Sequence, residues 1–171
     1  MTADPNKLKT KLNVSAPGML FCLARAEGSD QVYCGAADAK VYAFDLAEEK
    51  PAGKPLEAHT SYVTGVALTK KHLVSGGYDC SLVWWDLESG KPSRTVENAH
   101  ARWIRGVVAS PDGRYVASVA DDMVCRLWDG ESGKPIRSLE GHEVQTPHHY
   151  PSMLYACAIS SDGKLVATGD R

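Results

Sequence analysis

Apolar and polar residues alternate along this chain in short runs, and the runs are closed by glycine and aspartate. Met123-Val124-Cys125-Arg126-Leu127-Trp128 is the clearest case. This period of two, bounded by turn residues, is the signature of a half-buried strand. The stretch Val32–Leu46 can be laid over Leu73–Leu87 and over Val116–Gly130, each a short small-residue strand, a turn aspartate and an alternating strand. Upstream of these lie the apolar runs Val63–Leu68, Ile104–Ser110 and Leu154–Ser160, the last two followed by the turns Pro111-Asp112-Gly113 and Ser161-Asp162-Gly163. Strands are predicted near 19–24, 31–36, 40–45, 62–68, 72–77, 81–86, 103–109, 114–119 and 123–128. A further strand per unit is implied by weaker apolar positions at Val96, Ile136 and Leu139. No segment carries an amphipathic helical stripe, so the chain reads as all-β.

The same pattern recurs every 41 to 43 residues. Histidines stand at His59, His100 and His142, turn aspartates at Asp38, Asp79 and Asp122, and aromatic-Asp pairs at Phe44-Asp45, Trp85-Asp86 and Trp128-Asp129. A fixed period in this range marks a repeat architecture. One unit cannot bury its own apolar face, so neighbouring units stack and the stack creates the functional surface.

From about Gly18 to Arg171 these residues resemble the WD-repeat β-propeller family, also called G-protein β-subunit-like repeats. The resemblance implies an all-β propeller of four-stranded antiparallel blades. Residues 1–17 are expected to be a tail or ring-closing strand, with blades near 18–57, 58–98 and 99–140 and a partial one at 141–171. The first unit departs from the pattern, with Phe44 in place of tryptophan and Gly18 in place of histidine, and Ala58 and Ala99 stand where glycine usually precedes the histidine. In this family a Trp, Ser/Thr, His, Asp hydrogen-bond network recurs in each blade. It maps here onto Trp85, Ser75, His59 and Asp79, and onto Trp128, Ser118, His100 and Asp122. The chemistry is self-consistent, because a buried indole N–H needs an acceptor, a hydroxyl can accept and donate, and a carboxylate can take the other imidazole nitrogen. The set also mimics a Ser-His-Asp hydrolase triad. Its repetition in register, and the lack of a Gly-x-Ser-x-Gly elbow, assign it to the scaffold.

Lys164–Arg171 aligns with Arg114–Asp121, so the fourth unit reads as incomplete, with about three and a half blades and the rest expected in a longer protein. Such a chain exposes strand edges and is expected to associate edge to edge. The alternating stretch Lys7–Val14 is a candidate ring-closing strand. There is no apolar signal-peptide core after Met1 and no run of transmembrane length, which points to a cytoplasmic protein away from membranes.

A net charge of −2 with mixed signs offers no basic field for nucleic acid or an anionic membrane. The five cysteines have no metal-ligand or Cys-x-x-Cys spacing, and Cys22 and Cys157 occupy the first-strand position of Val66 and Val107. One spacing is irregular: 12 positions separate His100 from Asp112, but 20 separate His142 from Asp162. The extra residues, within Glu143–Pro151, form an inserted loop whose His148-His149 pair lacks nearby carboxylate or cysteine and reads as polar rather than metal-binding.

With no cofactor motif, no nucleophile elbow and no catalytic residue, the leading function is a non-catalytic protein–protein interaction scaffold. The alternative is the regulatory or sensor propeller of a larger enzyme, a kinase or protease. A quinoprotein-like dehydrogenase is disfavoured, because Pro92–Thr95 and Pro135–Ser138 hold no tryptophan after the Glu-Ser-Gly-Lys turns. In WD-repeat proteins partners often dock on the face of the histidine-bearing loops. The resemblance therefore implies a partner surface of Tyr62, Tyr78, Arg102, Trp103 and Asp121, with His148, His149 and Tyr150 rising beside it. Aromatics and arginine are the side chains that dominate interface energies.

Overall fold

The computed structural model describes residues 15–16, 18–26, 28–48, 50–145 and 152–170. Among the described residues there are strands and turns and no helix. The first sheet is built from β1 (Leu20–Arg25), β2 (Gln31–Ala36), β3 (Lys40–Asp45) and β4 (Lys50–Pro51), with β5 (Leu56–Glu57) also on β3. The second runs β6 (Val63–Leu68), β7 (His72–Gly77), β8 (Leu82–Asp86), β9 (Pro92–Val96). The third runs β10 (Ile104–Ala109), β11 (Tyr115–Ala120), β12 (Cys125–Asp129), β13 (Pro135–Leu139). A two-stranded sheet of β14 (Leu154–Ile159) and β15 (Val166–Asp170) follows. All pairings are antiparallel between sequence neighbours, apart from β5 on β3. Each of the nine strands expected from alternation is present within two residues of its expected bounds.

The outer strand of the first sheet is split into β4 and β5. Pro51 and Pro55 cannot donate to a ladder, and Gly53 turns the chain with φ +75 between them. The candidate strand Lys7–Val14 lies outside the described residues, as do His148, His149 and Tyr150.

Consecutive sheets stack face to face as blades in an open arc. Between the first and second lie Val41, Val63, Val66, Leu73, Val83 and Trp85. Between the second and third lie Leu82, Trp84, Ile104, Val107, Val116 and Trp128, and between the third and the half-blade lie Val119, Met123, Cys125 and Leu154. Trp84 and Trp85 are adjacent in β8, so the strand period sends them to opposite faces. Trp85 seals one joint, and Trp84 seals the next, donating its indole N–H to Gly130 O at 3.2 Å and meeting Trp128 edge-on at 6.3 Å. Full burial of such side chains contributes about 1.5–3 kcal/mol each for the aliphatic ones.

The first strand of each blade lies innermost, with β6 packed between β1 and β10, and β10 beside β14. Their approach is close: a Cβ on Gly65 would sit 2.6 Å from the backbone nitrogen of Val107. The topology then fixes which loops share an end. Turns after the first and third strands fall at one end, whereas the histidine loops and the turns after β2, β7 and β11 fall at the other.

Candidate functional site

At that second end, His59 lies just before β6 and Asp79 in the turn after β7. Trp85 Nε1 donates to Ser75 Oγ at 2.8 Å, Ser75 Oγ lies 2.7 Å from His59 Nε2, and Asp79 Oδ2 accepts from His59 Nδ1 at 2.8 Å. The next blade repeats this. Trp128 Nε1 donates to Ser118 Oγ at 2.9 Å, Ser118 Oγ lies 2.7 Å from His100 Nε2, and Asp122 accepts from His100 Nδ1 at 3.0 Å. Each carboxylate also accepts backbone N–H groups, Thr60 and Ser81 on Asp79 and Ala101 and Val124 on Asp122, which locks the histidine loop to the turn. Arg126 adds a charged bond to Asp122 at 2.7 Å, an addition Asp79 lacks among the described residues. Ser75 and Ser118 are completely buried and their oxygens are engaged, so neither hydroxyl can meet a substrate. The arrangement is a buried clamp.

The first blade has lost the clamp as a set. Phe44 offers no N–H, Cys34 faces Tyr42 across β2–β3, and Asp38 instead accepts the Tyr42 hydroxyl at 2.5 Å. In the half-blade His142 meets Thr168 Oγ1 at 2.6 Å and Asp170 Oδ2 at 2.7 Å. Asp170 aligns with Ala120 of β11, so the carboxylate comes from the strand end and not from the turn position.

Burial holds the His100 imidazole below its ordinary value of 6.5, against the opposing pull of Asp122. For Asp122, burial would raise the carboxyl, but the bonds from His100 and Arg126 outweigh it and hold it well below the usual carboxylate range. Asp79 is lowered in the same way by His59. The unfolded chain therefore takes up the His100 proton at higher pH than the folded chain does. That stability is present above pH 6.5 and is lost as pH falls below it. The free-energy gap between wild type and His100→Gln, read from urea midpoints, is expected to be narrower at pH 5 than at pH 7. A gap that ignores pH would contradict the assignment. The thiols take no part, since burial pushes Cys22 and Cys125 up to about 11 and Cys157 up to about 12.

Above the clamps, one row of rings crosses the blades. Phe21 and Tyr62 have centroids 5.5 Å apart, Tyr62 and Tyr78 are again 5.5 Å apart, and Tyr78 stacks on Trp103 at 4.5 Å with an interplanar angle of 6°. The Arg105 guanidinium then lies 4.8 Å from the Tyr78 ring, 5.5 Å from Trp103 and 5.6 Å from Tyr155. Asp121 fixes it with two bonds of 2.7 Å, from Nε and Nη2, and Nη1 reaches the Tyr78 hydroxyl. That bond to Asp121 raises the Arg105 pKa further above its ordinary value. Met153 Sδ closes the group, 3.5 Å from Arg105 and 3.2 Å from the Tyr155 hydroxyl. Phe21, Tyr62, Trp103 and Tyr155 stay 42–49% exposed.

The structure thus brings together Tyr62, Tyr78, Trp103 and Asp121. Arg102 is exposed beside Trp103 and makes no hydrogen bond or ion pair among the described residues. The arginine that organises the row is Arg105, which sequence reasoning did not single out, and Phe21, Tyr155, Met153 and Trp84 were likewise passed over. A signal existed. Leu20, Ile104 and Leu154 are equivalent first residues of β1, β10 and β14, and Phe21, Arg105 and Tyr155 follow them directly. Two residues before each stand Met19, Trp103 and Met153, on the same strand face.

A family model described as "WD domain, G-beta repeat" matches residues 50–86, 90–129 and 133–171. The first two matched spans run from the outer strand of one blade through the first three strands of the next, and the third runs from β13 through β14 and β15, so every repeat staples two neighbouring sheets. The nuclear distribution protein PAC1 of Coccidioides posadasii (strain C735) is 29% identical over 124 residues, which cover 65% of this chain and 26% of that protein. The PAC1 of Arthroderma otae (strain ATCC MYA-4605 / CBS 113480) is 46% identical over 55 residues, 32% of this chain and 12% of that protein. A lissencephaly-1 homolog of Caenorhabditis briggsae is 25% identical over 110 residues, 64% of this chain and 26% of that protein. The chain spans about a quarter or less of the length of these relatives. With three matched repeats over more than half of its residues and blades of the corresponding topology, the chain belongs to the WD-repeat, or G-beta repeat, family.

Proposed function

We propose that this chain is part of a non-catalytic protein–protein interaction scaffold, and that partners dock on the end of the arc carrying Tyr62, Tyr78, Trp103 and their neighbours. The row of half-exposed rings held in place by Arg105 and Asp121 carries the reading. A surface that leaves four large rings in contact with water at adjacent positions gains by covering them, and aromatic side chains supply most of the energy of typical interfaces. Pre-positioning by the Arg105–Asp121 fork lowers the ordering cost of that contact. The Ser-His-Asp sets are sealed and cannot serve as nucleophiles, which supports the non-catalytic part. Membership of the WD-repeat family supports the interaction part.

A photo-crosslinking side chain placed at Thr60, exposed on this end, is expected to capture partner protein. The same side chain at Lys70, exposed at the opposite end, is expected to capture none. Equal capture at both positions, or capture only at Lys70, would contradict the docking end.

The free cysteines support a cytoplasmic, reducing location, and among the described residues no helix is long and apolar enough to cross a membrane. Self-association is a second part of the proposal. Among the described residues β15 pairs only with β14, leaving one strand edge open. Light scattering of the 171-residue chain at rising concentration is expected to show species above monomer mass, whereas a concentration-independent monomer would remove this part.

A further inference from the structure

We infer that the partner segment seated on the ring row is an acidic peptide, with carboxylates set among apolar side chains. This rests on the docking reading above and adds to it the chemistry of the ligand. The carboxylates beside Tyr78 and Trp103 are already engaged: Asp79 by His59, Asp121 by Arg105, and Asp122 by His100 and Arg126. Of the cations, Arg105 and Arg126 are held in those ion pairs, and Arg102 alone among the described arginines of this end has none. Glu143, the exposed carboxylate nearest in the chain pattern, belongs to the following histidine loop. What the row offers a ligand is then the Arg102 guanidinium, the Trp103 indole N–H and the Tyr62 hydroxyl, none of which has a hydrogen-bond partner among the described residues. The first two are donors only. A ligand that covers them must bring acceptors, and a guanidinium at the edge of an aromatic surface favours a carboxylate over a carbonyl because the bond is charge-assisted. Between those acceptors the rings require apolar groups. A basic segment would meet Arg102 with like charge and would bring donors to donors.

Trp103 supplies its own readout. Trp84, Trp85 and Trp128 are at most 3% exposed and Trp103 is 49% exposed, so acrylamide quenching of indole fluorescence reports on this row. The probe is a hexapeptide of alternating Glu and Leu, blocked at both ends, compared with the same peptide carrying Lys for Glu. The acidic peptide is expected to shield Trp103 saturably, with the Lys peptide weaker by about ten-fold or more, because complementary charge helps and like charge repels. Raising salt is expected to shrink that difference. Arg102→Glu is expected to invert the preference while leaving the melting temperature unchanged, since Arg102 has no hydrogen bond or ion pair among the described residues. Trp103→Ala, which removes the reporter, checks that the signal comes from the row. Equal shielding by both peptides, stronger shielding by the Lys peptide, or no shielding by either would overturn the acidic-ligand inference. The docking reading would still stand or fall on the Thr60 and Lys70 crosslinks.

Discussion

Asp122→Ala is expected to destabilise the chain by about 3 kcal/mol, because it leaves the buried His100 ring N–H and the part-buried Arg126 guanidinium without their acceptor. The magnitude follows from what is left behind. Asp122 has a side chain only 8% exposed and accepts from the His100 ring, the Arg126 guanidinium and the Ala101 and Val124 N–H groups. Alanine would leave a cation and a buried ring N–H with no acceptor and would release the histidine loop from the turn. Asp79→Ala removes the same ring and backbone contacts but no arginine, so about 2 kcal/mol is expected, the ordinary cost of an unpaired buried donor. Urea unfolding of the two variants checks the ranking. Should Asp79→Ala cost as much as Asp122→Ala, Arg126 contributes nothing to the clamp.

Much of this structure can be read in the amino acids, for reasons that differ from element to element. The strands are legible because each has one face against a neighbouring blade, and a half-buried strand must alternate. The clamps are legible because their four members recur at a fixed period, and no single copy would have separated them from a catalytic triad. The first blade shows the converse: once Phe44 removes the indole donor, the histidine and the accepting hydroxyl are gone too, at Gly18 and Cys34. The contacts that sequence does not reveal are those between blades. Nothing beside Trp84 announces that its N–H will meet Gly130 O, 46 residues on. Arg102 and Arg105 look equally able to flank Trp103. Only the strand period, which places residues 103 and 105 on one face, together with Tyr78 from the preceding blade and Tyr155 from the following one, makes Arg105 the organiser.

The second large effect is on binding. Trp103→Ala is expected to weaken partner binding by about 3 kcal/mol, in the range of interface anchors. Its cost to stability is expected to be about 1 kcal/mol, the worth of an aromatic stack. The asymmetry is the point. Trp103 is half exposed, stacks on Tyr78 on one side only and donates its N–H to nothing among the described residues, so folding uses little of what the side chain offers. Trp84→Ala is the contrast, with an indole fully buried between blades, and is expected to cost about 3–5 kcal/mol in stability, as tryptophan-to-alanine core changes do.

The decisive measurement is paired calorimetry on wild type and Trp103→Ala, titrating the partner captured at Thr60 and unfolding the same samples. Loss of about 3 kcal/mol in binding with about 1 kcal/mol in stability is the predicted result. Unchanged affinity in a variant that unfolds as readily as Trp84→Ala would contradict the account, because Trp103 would then belong to the core and the ring row would not be the docking surface.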